Sequence, residues 1–226
     1  MRLVIGNKNY SSWSMRPWVL MRALGIPFTE EKLRFDFGPG SVFRQAVAAH
    51  SPAGKVPVLV LDDGWAVWDT LAIAETLADL FPQAGVWPAD ARLRARARSI
   101  CAEMHSGFGA LRTHCPMNVE ACFPEVGARI WAEQPAVRAD VARIEALWAD
   151  ALAGSGGPFL FGDFGAADAF YAPVVLRLRN HGLPVSDGAR AYGERVVAHP
   201  AVAAWIDDAL AEQDFVPEDE PYRTGR

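Results

Sequence analysis

Strand-forming runs in this sequence are confined to the region before residue 70, and beyond residue 89 only helical periodicity appears. A chain that changes its hydrophobic period once and does not change back folds as a small α/β unit followed by an all-helical unit. Arg2 to Gly6 reads as a buried strand, Asn7 to Ser12 as a polar turn, and Ser14 to Leu24 as a helix stopped by Gly25 and Pro27. Phe28 to Phe35 is the second strand, broken by Gly38-Pro39-Gly40 before a short helix to Ala49. Val56 to Leu61 and Trp65 to Trp68 are strands joined by the turn Asp62-Asp63-Gly64, and Thr70 to Leu80 is an amphipathic helix.

Phe81 to Pro88 is rich in Pro and Gly and aperiodic, so the expected domains are residues 1–81 and 89–226, with 82–88 as linker. Leu93, Ala97, Ile100, Met104, Phe108 and Leu111 recur at helical spacing and predict one long helix ended by Pro116. Further helices are expected at about 124–133, 136–153, 166–179, 188–197 and 199–211, and Glu212 to Arg226 reads as a polar tail.

Composition bounds the partners. A net charge of -5 gives no electrostatic reason to expect nucleic acid, whose phosphates are captured by clustered cations. No window reaches the ~20 apolar residues of a membrane-spanning helix, and Leu3-Val4-Ile5 is too short for a signal-peptide core, so a cytoplasmic location is expected. Cys101, Cys115 and Cys122 are odd in number and lack ligand-like spacing, which argues against a disulfide framework and against a metal site.

Four segments carry a more specific signal. Ser11-Ser12-Trp13-Ser14-Met15-Arg16, directly after the first strand, resembles the serine-bearing loop of cytosolic glutathione transferases, nearest to the zeta-like form. Ser51 to Leu59 resembles that family's segment with a cis-proline before the third strand. Trp68-Asp69-Thr70-Leu71-Ala72-Ile73 resembles its acidic-hydroxyl pair opening the third helix. Phe161 to Asp168 is similar to the capping motif of its core helix, with Gly165 where the family usually has Ser or Thr. Together they cover residues 1 to about 180.

The resemblance implies a thioredoxin-like N-terminal domain on an all-α C-terminal domain, a homodimer, and reduced glutathione as co-substrate, with no metal. It implies that Ser11, five residues before Arg16, stabilises the glutathione thiolate, with Ser12 as the close alternative; either hydroxyl can instead serve as a helix cap. A thiol of pKa ~8.5 needs such help at neutral pH, and one hydrogen bond to a charged group contributes ~1.5–3 kcal/mol. The resemblance further implies that the Val56-Pro57 backbone pairs with the cysteinyl unit. Lys55 suits a peptide carboxylate, Asp69 the γ-glutamyl ammonium, and Thr70 with the helix-start amides that unit's carboxylate; a solvated surface lysine and an ordinary N-cap pair are the alternatives. Trp13, His105, Phe108, Arg112 and Met117 are the expected lining of a second-substrate site, where Arg112 suits a carboxylate-bearing electrophile; for His105 a structural role is the alternative.

The expected activity is thiolate attack on a small electrophile. Zeta-like isomerisation is one alternative, weakened because Trp13 replaces the cysteine of that motif, and a non-catalytic binding protein of the same fold is another.

Overall fold

The computed structural model describes all 226 residues. Strand β1 (Arg2–Ile5) runs into helix α1 (Ser12–Ala23), which carries the chain over to β2 (Thr29–Lys32), parallel to β1 with Arg2 opposite Thr29. Helix α2 (Val42–His50) leads to β3 (Val58–Val60), antiparallel to β1 with Leu3 opposite Leu59. β4 (Ala66–Trp68) pairs antiparallel with β3, giving the sheet order β2-β1-β3-β4, and α3 (Thr70–Leu80) follows. Alternation along the strands sends Leu3, Ile5 and Leu59 into the main core, while Val4 and Val58 are buried outside that cluster. This is the thioredoxin-like unit. β2 is shorter than the run Phe28 to Phe35 suggests, because beyond Leu33 the chain leaves the sheet.

The second half is helical throughout: α4 (Ala91–Ser106), α5 (Gly109–His114), α6 (Pro124–Glu133), α7 (Pro135–Ser155), α8 (Ala166–Asn180), α9 (Asp187–Ala198) and α10 (Pro200–Glu212), then a 3-10 turn at Pro217–Asp219. The expected single helix from Leu93 to Leu111 is two helices. Gly107 sits so close to the Glu103 carbonyl oxygen that a Cβ there would lie 2.7 Å from it, and Phe108 takes a left-handed φ of 58°. A bulky side chain in that region of φ ends a right-handed helix. The apolar spacing continues across the break because α4 and α5 bury the same stripe, which is why periodicity conceals it.

α8 is the axis of the helical half: every residue of it except Arg179 is buried, and it packs on both α1 and α4. Gly165 offers no capping side chain, and Asp168 compensates, accepting from the Gly165 amide at 3.1 Å, the Leu160 amide at 3.0 Å and the Tyr192 hydroxyl at 2.9 Å. Asp168 therefore fixes the start of α8.

The C-terminal segment is docked rather than free. Glu212, its side chain 3% exposed, accepts from the backbone amides of Lys8 at 2.7 Å and Asn9 at 3.3 Å, and pairs with Lys32 at 3.1 Å. Asp214 accepts from Asn7 Nδ2 at 2.7 Å, and Glu220 from the Tyr10 hydroxyl at 2.7 Å. The turn that precedes α1 is thus held by carboxylates some two hundred residues away. Removing a buried acceptor strands its donors, so Glu212→Ala is expected to lower stability in urea by ~3 kcal/mol. A loss below ~1 kcal/mol would show that the clamp contributes little.

Candidate functional site

A cavity of about 770 Å³ opens between the two halves, lined by the turn before α1, the segment before β3, the start of α3, the α4–α5 corner, α8 and the C-terminal turn. Of the residues singled out in the sequence, Ser11, Ser12, Trp13, Lys55, Val56, Pro57, Asp69, Thr70, His105, Arg112 and Met117 all line it. Phe108 does not. Its left-handed backbone turns the ring into the helical core, where it is 7% exposed, so it is no part of the lining. A second groove, of about 580 Å³ between α7, α8 and α9, contains none of these residues.

At the end of the cavity formed by α3, Asp69 adopts φ 76° and caps the helix, its Oδ1 accepting from the Leu71 amide at 2.8 Å and the Ala72 amide at 3.4 Å. A non-glycine residue in that conformation is strained, and strain of this kind persists where the surroundings fix it. His105 supplies the fixing contact: its Nε2 lies 3.1 Å from Asp69 Oδ2 and its Nδ1 3.4 Å from Thr70 Oγ1. Burial lowers the His105 pKa although the Asp69 carboxylate pulls the other way, so the ring is neutral at pH 7. A neutral ring donates to Asp69 through Nε2 and accepts the Thr70 hydroxyl at Nδ1. His105 therefore joins Asp69 and Thr70 to Trp13, against which its ring packs edge-on at 5.0 Å, so it stands between the α3 cap and the second-substrate wall where sequence reasoning placed it. The peptide bond Val56-Pro57 is cis, and Lys55 beside it is exposed at the cavity mouth.

At the start of α1, Ser11 Oγ accepts from the Ser14 amide at 3.3 Å and lies 2.7 Å from Ser14 Oγ, which itself accepts from the Gly6 amide at 3.2 Å. Ser12 Oγ accepts from Arg177 Nη2 at 3.0 Å. Trp13 holds two guanidinium groups over its ring, Arg16 at 4.1 Å and Arg112 at 5.0 Å. Burial lowers the pKa of Arg16 to about 9, with Arg112 and Arg177 adding to it as like charges. It remains cationic at neutral pH.

Arg112 has a second commitment. Its Nε donates to the Gly107 carbonyl at 3.0 Å, and one Nη donates to the His105 carbonyl at 3.1 Å and to that of Met104. These are carbonyls of the last turn of α4 and of Gly107 just beyond it, which the break at Phe108 leaves without helical partners.

Sequence reasoning missed Arg177 and Asp219, both on the cavity wall. Arg177 had one signal, a charge at a core position of an otherwise apolar helix; Asp219 had none, because only the docked C-terminal segment brings it in. Phe35, Phe37 and Phe43 also reach the cavity as a cluster with ring centroids 5.1–5.9 Å apart.

Comparison with known proteins places this geometry. Residues 10–80 match the family model for the glutathione S-transferase N-terminal domain, and residues 120–208 the model for the C-terminal domain. A glutathione transferase homologue from Burkholderia, solved with bound glutathione, is 23% identical with a TM-score of 0.66, over 93% of this chain and 98% of that one. A glutathione transferase from Methylococcus capsulatus is 26% identical with a TM-score of 0.65, over 92% and 98%. A beta class enzyme from Sphingomonas chungbukensis is 24% identical with a TM-score of 0.66, over 93% and 100%. No curated protein matches the chain.

The contacts of Arg112 generate a test. Arg112→Leu removes donors from three carbonyls at the α4–α5 corner, and the expected cost is ~2 kcal/mol in denaturant unfolding. Wild-type stability in this variant would leave the guanidinium without a structural role and return it to ligand binding alone.

Proposed function

We propose a function from one premise, that the chain belongs to the glutathione S-transferase family: it binds reduced glutathione in the cavity and holds the sulfur as a thiolate for attack on a small electrophile. The observation that carries this reading is the convergence of the serine turn, the cis Val56-Pro57 bond and the strained Asp69-Thr70 pair on one cavity. Residues 1–81 take the peptide, 82–88 connect, and 89–226 supply the opposing wall.

The γ-glutamyl ammonium pairs with the Asp69 carboxylate, which His105 orients. The neighbouring carboxylate is met by the Thr70 amide at the positive end of α3. The Val56 backbone, exposed by the cis bond, pairs with the cysteinyl unit, and Lys55 meets the terminal carboxylate. The sulfur then lies at the Ser11-Ser12 pair, where a hydroxyl and the N-terminus of α1 favour its ionised form. The protein supplies position and electrostatics; the peptide supplies the nucleophile.

The electrophile meets Trp13, Met117 and Arg112, with one face of the site aromatic and the other cationic. An apolar or anionic electrophile suits that wall. Among subclasses the serine turn is nearest to the zeta-like form, but Trp13, clasped by two guanidiniums, occupies the place of that group's cysteine, which favours transfer over isomerisation. The reading includes a cytoplasmic homodimer, in keeping with Trp65 and Trp68 standing 71% and 44% exposed on the β3–β4 hairpin.

Calorimetry with reduced glutathione tests recognition. Asp69→Asn is expected to weaken binding by ~1–3 kcal/mol, and Thr70→Val, which keeps the amide and frees His105 from its hydroxyl partner, by less. A wild-type protein that neither binds glutathione nor is retained on immobilised glutathione would overturn the reading; unchanged affinity in both variants would overturn the placement of the glutamyl end.

A further inference from the structure

We propose that Arg177 is a positioning residue that makes Ser12, rather than Ser11, the hydroxyl donor to the glutathione thiolate, and that its charge supplies part of the potential holding the sulfur ionised. This rests on the reading above and assigns roles within that site.

The two serines differ in what the chain already asks of them. Ser11 is the N-cap of α1: its oxygen takes the Ser14 amide and shares a short 2.7 Å contact with the Ser14 hydroxyl, so both its functions are engaged locally. Ser12 has its oxygen engaged and its hydrogen spare. The Arg177 guanidinium donates to Ser12 Oγ at 3.0 Å, and a guanidinium has no lone pair to receive a proton back. The Ser12 hydrogen therefore turns away from Arg177, toward the cavity that both residues line. A hydroxyl whose oxygen accepts from a cation is also a stronger donor than a free one, because hydrogen bonds in a chain polarise one another.

Arg177 is held in place to do this. It is 7% exposed on α8, and its other Nη donates to the Cys115 carbonyl at 2.7 Å, which fixes the plane of the group. Its hydrogen bonds all go to neutral acceptors: Ser12 Oγ and the carbonyls of Cys115 and, at 3.5 Å, Arg112. The charged and titratable groups facing it are Arg112 of α5, Cys115 beyond that helix, Asp219 of the C-terminal turn, and His181 one turn further along α8. Arg16 of α1 lies over the Trp13 ring and donates to Thr70 Oγ1 at 3.4 Å, and His105 of α4, paired with Asp69 of the α3 cap, packs edge-on against Trp13. Burial, then repulsion from Arg112, brings the Arg177 pKa down to about 10, which leaves it charged at neutral pH. Burial, then the neighbouring Glu218 and Glu220, raises the Asp219 pKa, while Arg177 pulls it down, and Asp219 makes no ion pair with Arg177. Arg177, with Arg112 and Arg16 nearby, gives this part of the cavity a positive potential, and a thiolate beside Ser12 is stabilised by it. On ionisation the thiol proton leaves to water and the negative sulfur takes the Ser12 hydrogen bond.

The test titrates the thiolate absorbance of bound glutathione against pH in wild type, Ser11→Ala, Ser12→Ala, Arg177→Gln and Arg177→Lys. The affinity for S-methylglutathione, which has no thiol to ionise, is measured beside it. Ser12→Ala and Arg177→Gln are each expected to raise the pKa of the bound thiol by about one unit or more, with Ser11→Ala raising it less. Arg177→Lys, which keeps the charge but not the fork, is expected to fall between Arg177→Gln and wild type. S-methylglutathione affinity should stay within about twofold of wild type in the Ser12 and Arg177 variants, which separates thiolate chemistry from a general loss of the site. A larger shift in Ser11→Ala than in Ser12→Ala, or an unshifted Arg177→Gln, overturns the proposal and leaves glutathione binding standing. If Arg177→Gln does not fold, an unshifted titration in Ser12→Ala overturns it equally. Failure of the wild type to bind either peptide overturns the reading beneath it instead.

Discussion

The turn between β1 and α1 has no regular partner for its polar groups, and the C-terminal segment supplies them. Glu212 takes two of its amides, Asp214 takes Asn7, Glu220 takes Tyr10, and Asn9 in turn accepts from the Val119 and Glu120 amides at 2.8 and 2.9 Å. Lys8 is buried in the same knot, paired with Glu30 at 2.7 Å and Asp208 at 2.5 Å and lying 4.4 Å over the Trp18 ring. Buried backbone donors left unsatisfied are costly, so the turn has one well-defined shape only while both halves of the molecule are in place. The position of Ser11 and Ser12 is therefore a property of the whole chain, although both belong to the first domain.

The electrostatics of the cavity follow from the same packing. α8 is buried because it is the axis of the helical half, and Arg177 is buried with it; α1 packs on α8, and Arg16 is enclosed between Trp13 and Phe170. The fold thus holds Arg177 at Ser12 and Arg16 between Trp13 and Thr70, to which it donates at 3.4 Å, while the start of α3 presents the Asp69 carboxylate and the neutral His105 imidazole. On the proposed reading, one peptide laid across the cavity meets both groups. On that reading, selectivity for the peptide comes from charge placement along the cavity, and selectivity for the electrophile from the Trp13, Met117 and Arg112 wall.

The order of strands and helices was legible in the sequence because each element carries its own period and its own stop, as Thr70–Leu80 and Pro124–Glu133 show by matching the expected spans. What escaped was set by tertiary contact. The break at Phe108 lies inside an unbroken apolar stripe, so Phe108 reads as a lining residue when it is core. His105 was recognisable as a site residue, but its partners lie on a helix cap 35 positions earlier, and spacing carries no such information. Arg112 was expected to face a ligand, and most of its donors instead close the end of α4. The polar C-terminal run looked like solvated chain because its carboxylates meet donors at the opposite end of the sequence, and Asp219 came into the cavity with it.

The central claim is that the cavity binds glutathione and holds its sulfur ionised at neutral pH. Calorimetric titration of the wild-type protein at pH 7, repeated in buffers of different ionisation enthalpy, measures the protons released on binding. A thiol of free pKa ~8.5 bound as thiolate must release most of one proton, so glutathione is expected to bind with nearly one proton released and S-methylglutathione with none. Binding of both peptides with the same proton count would contradict the account.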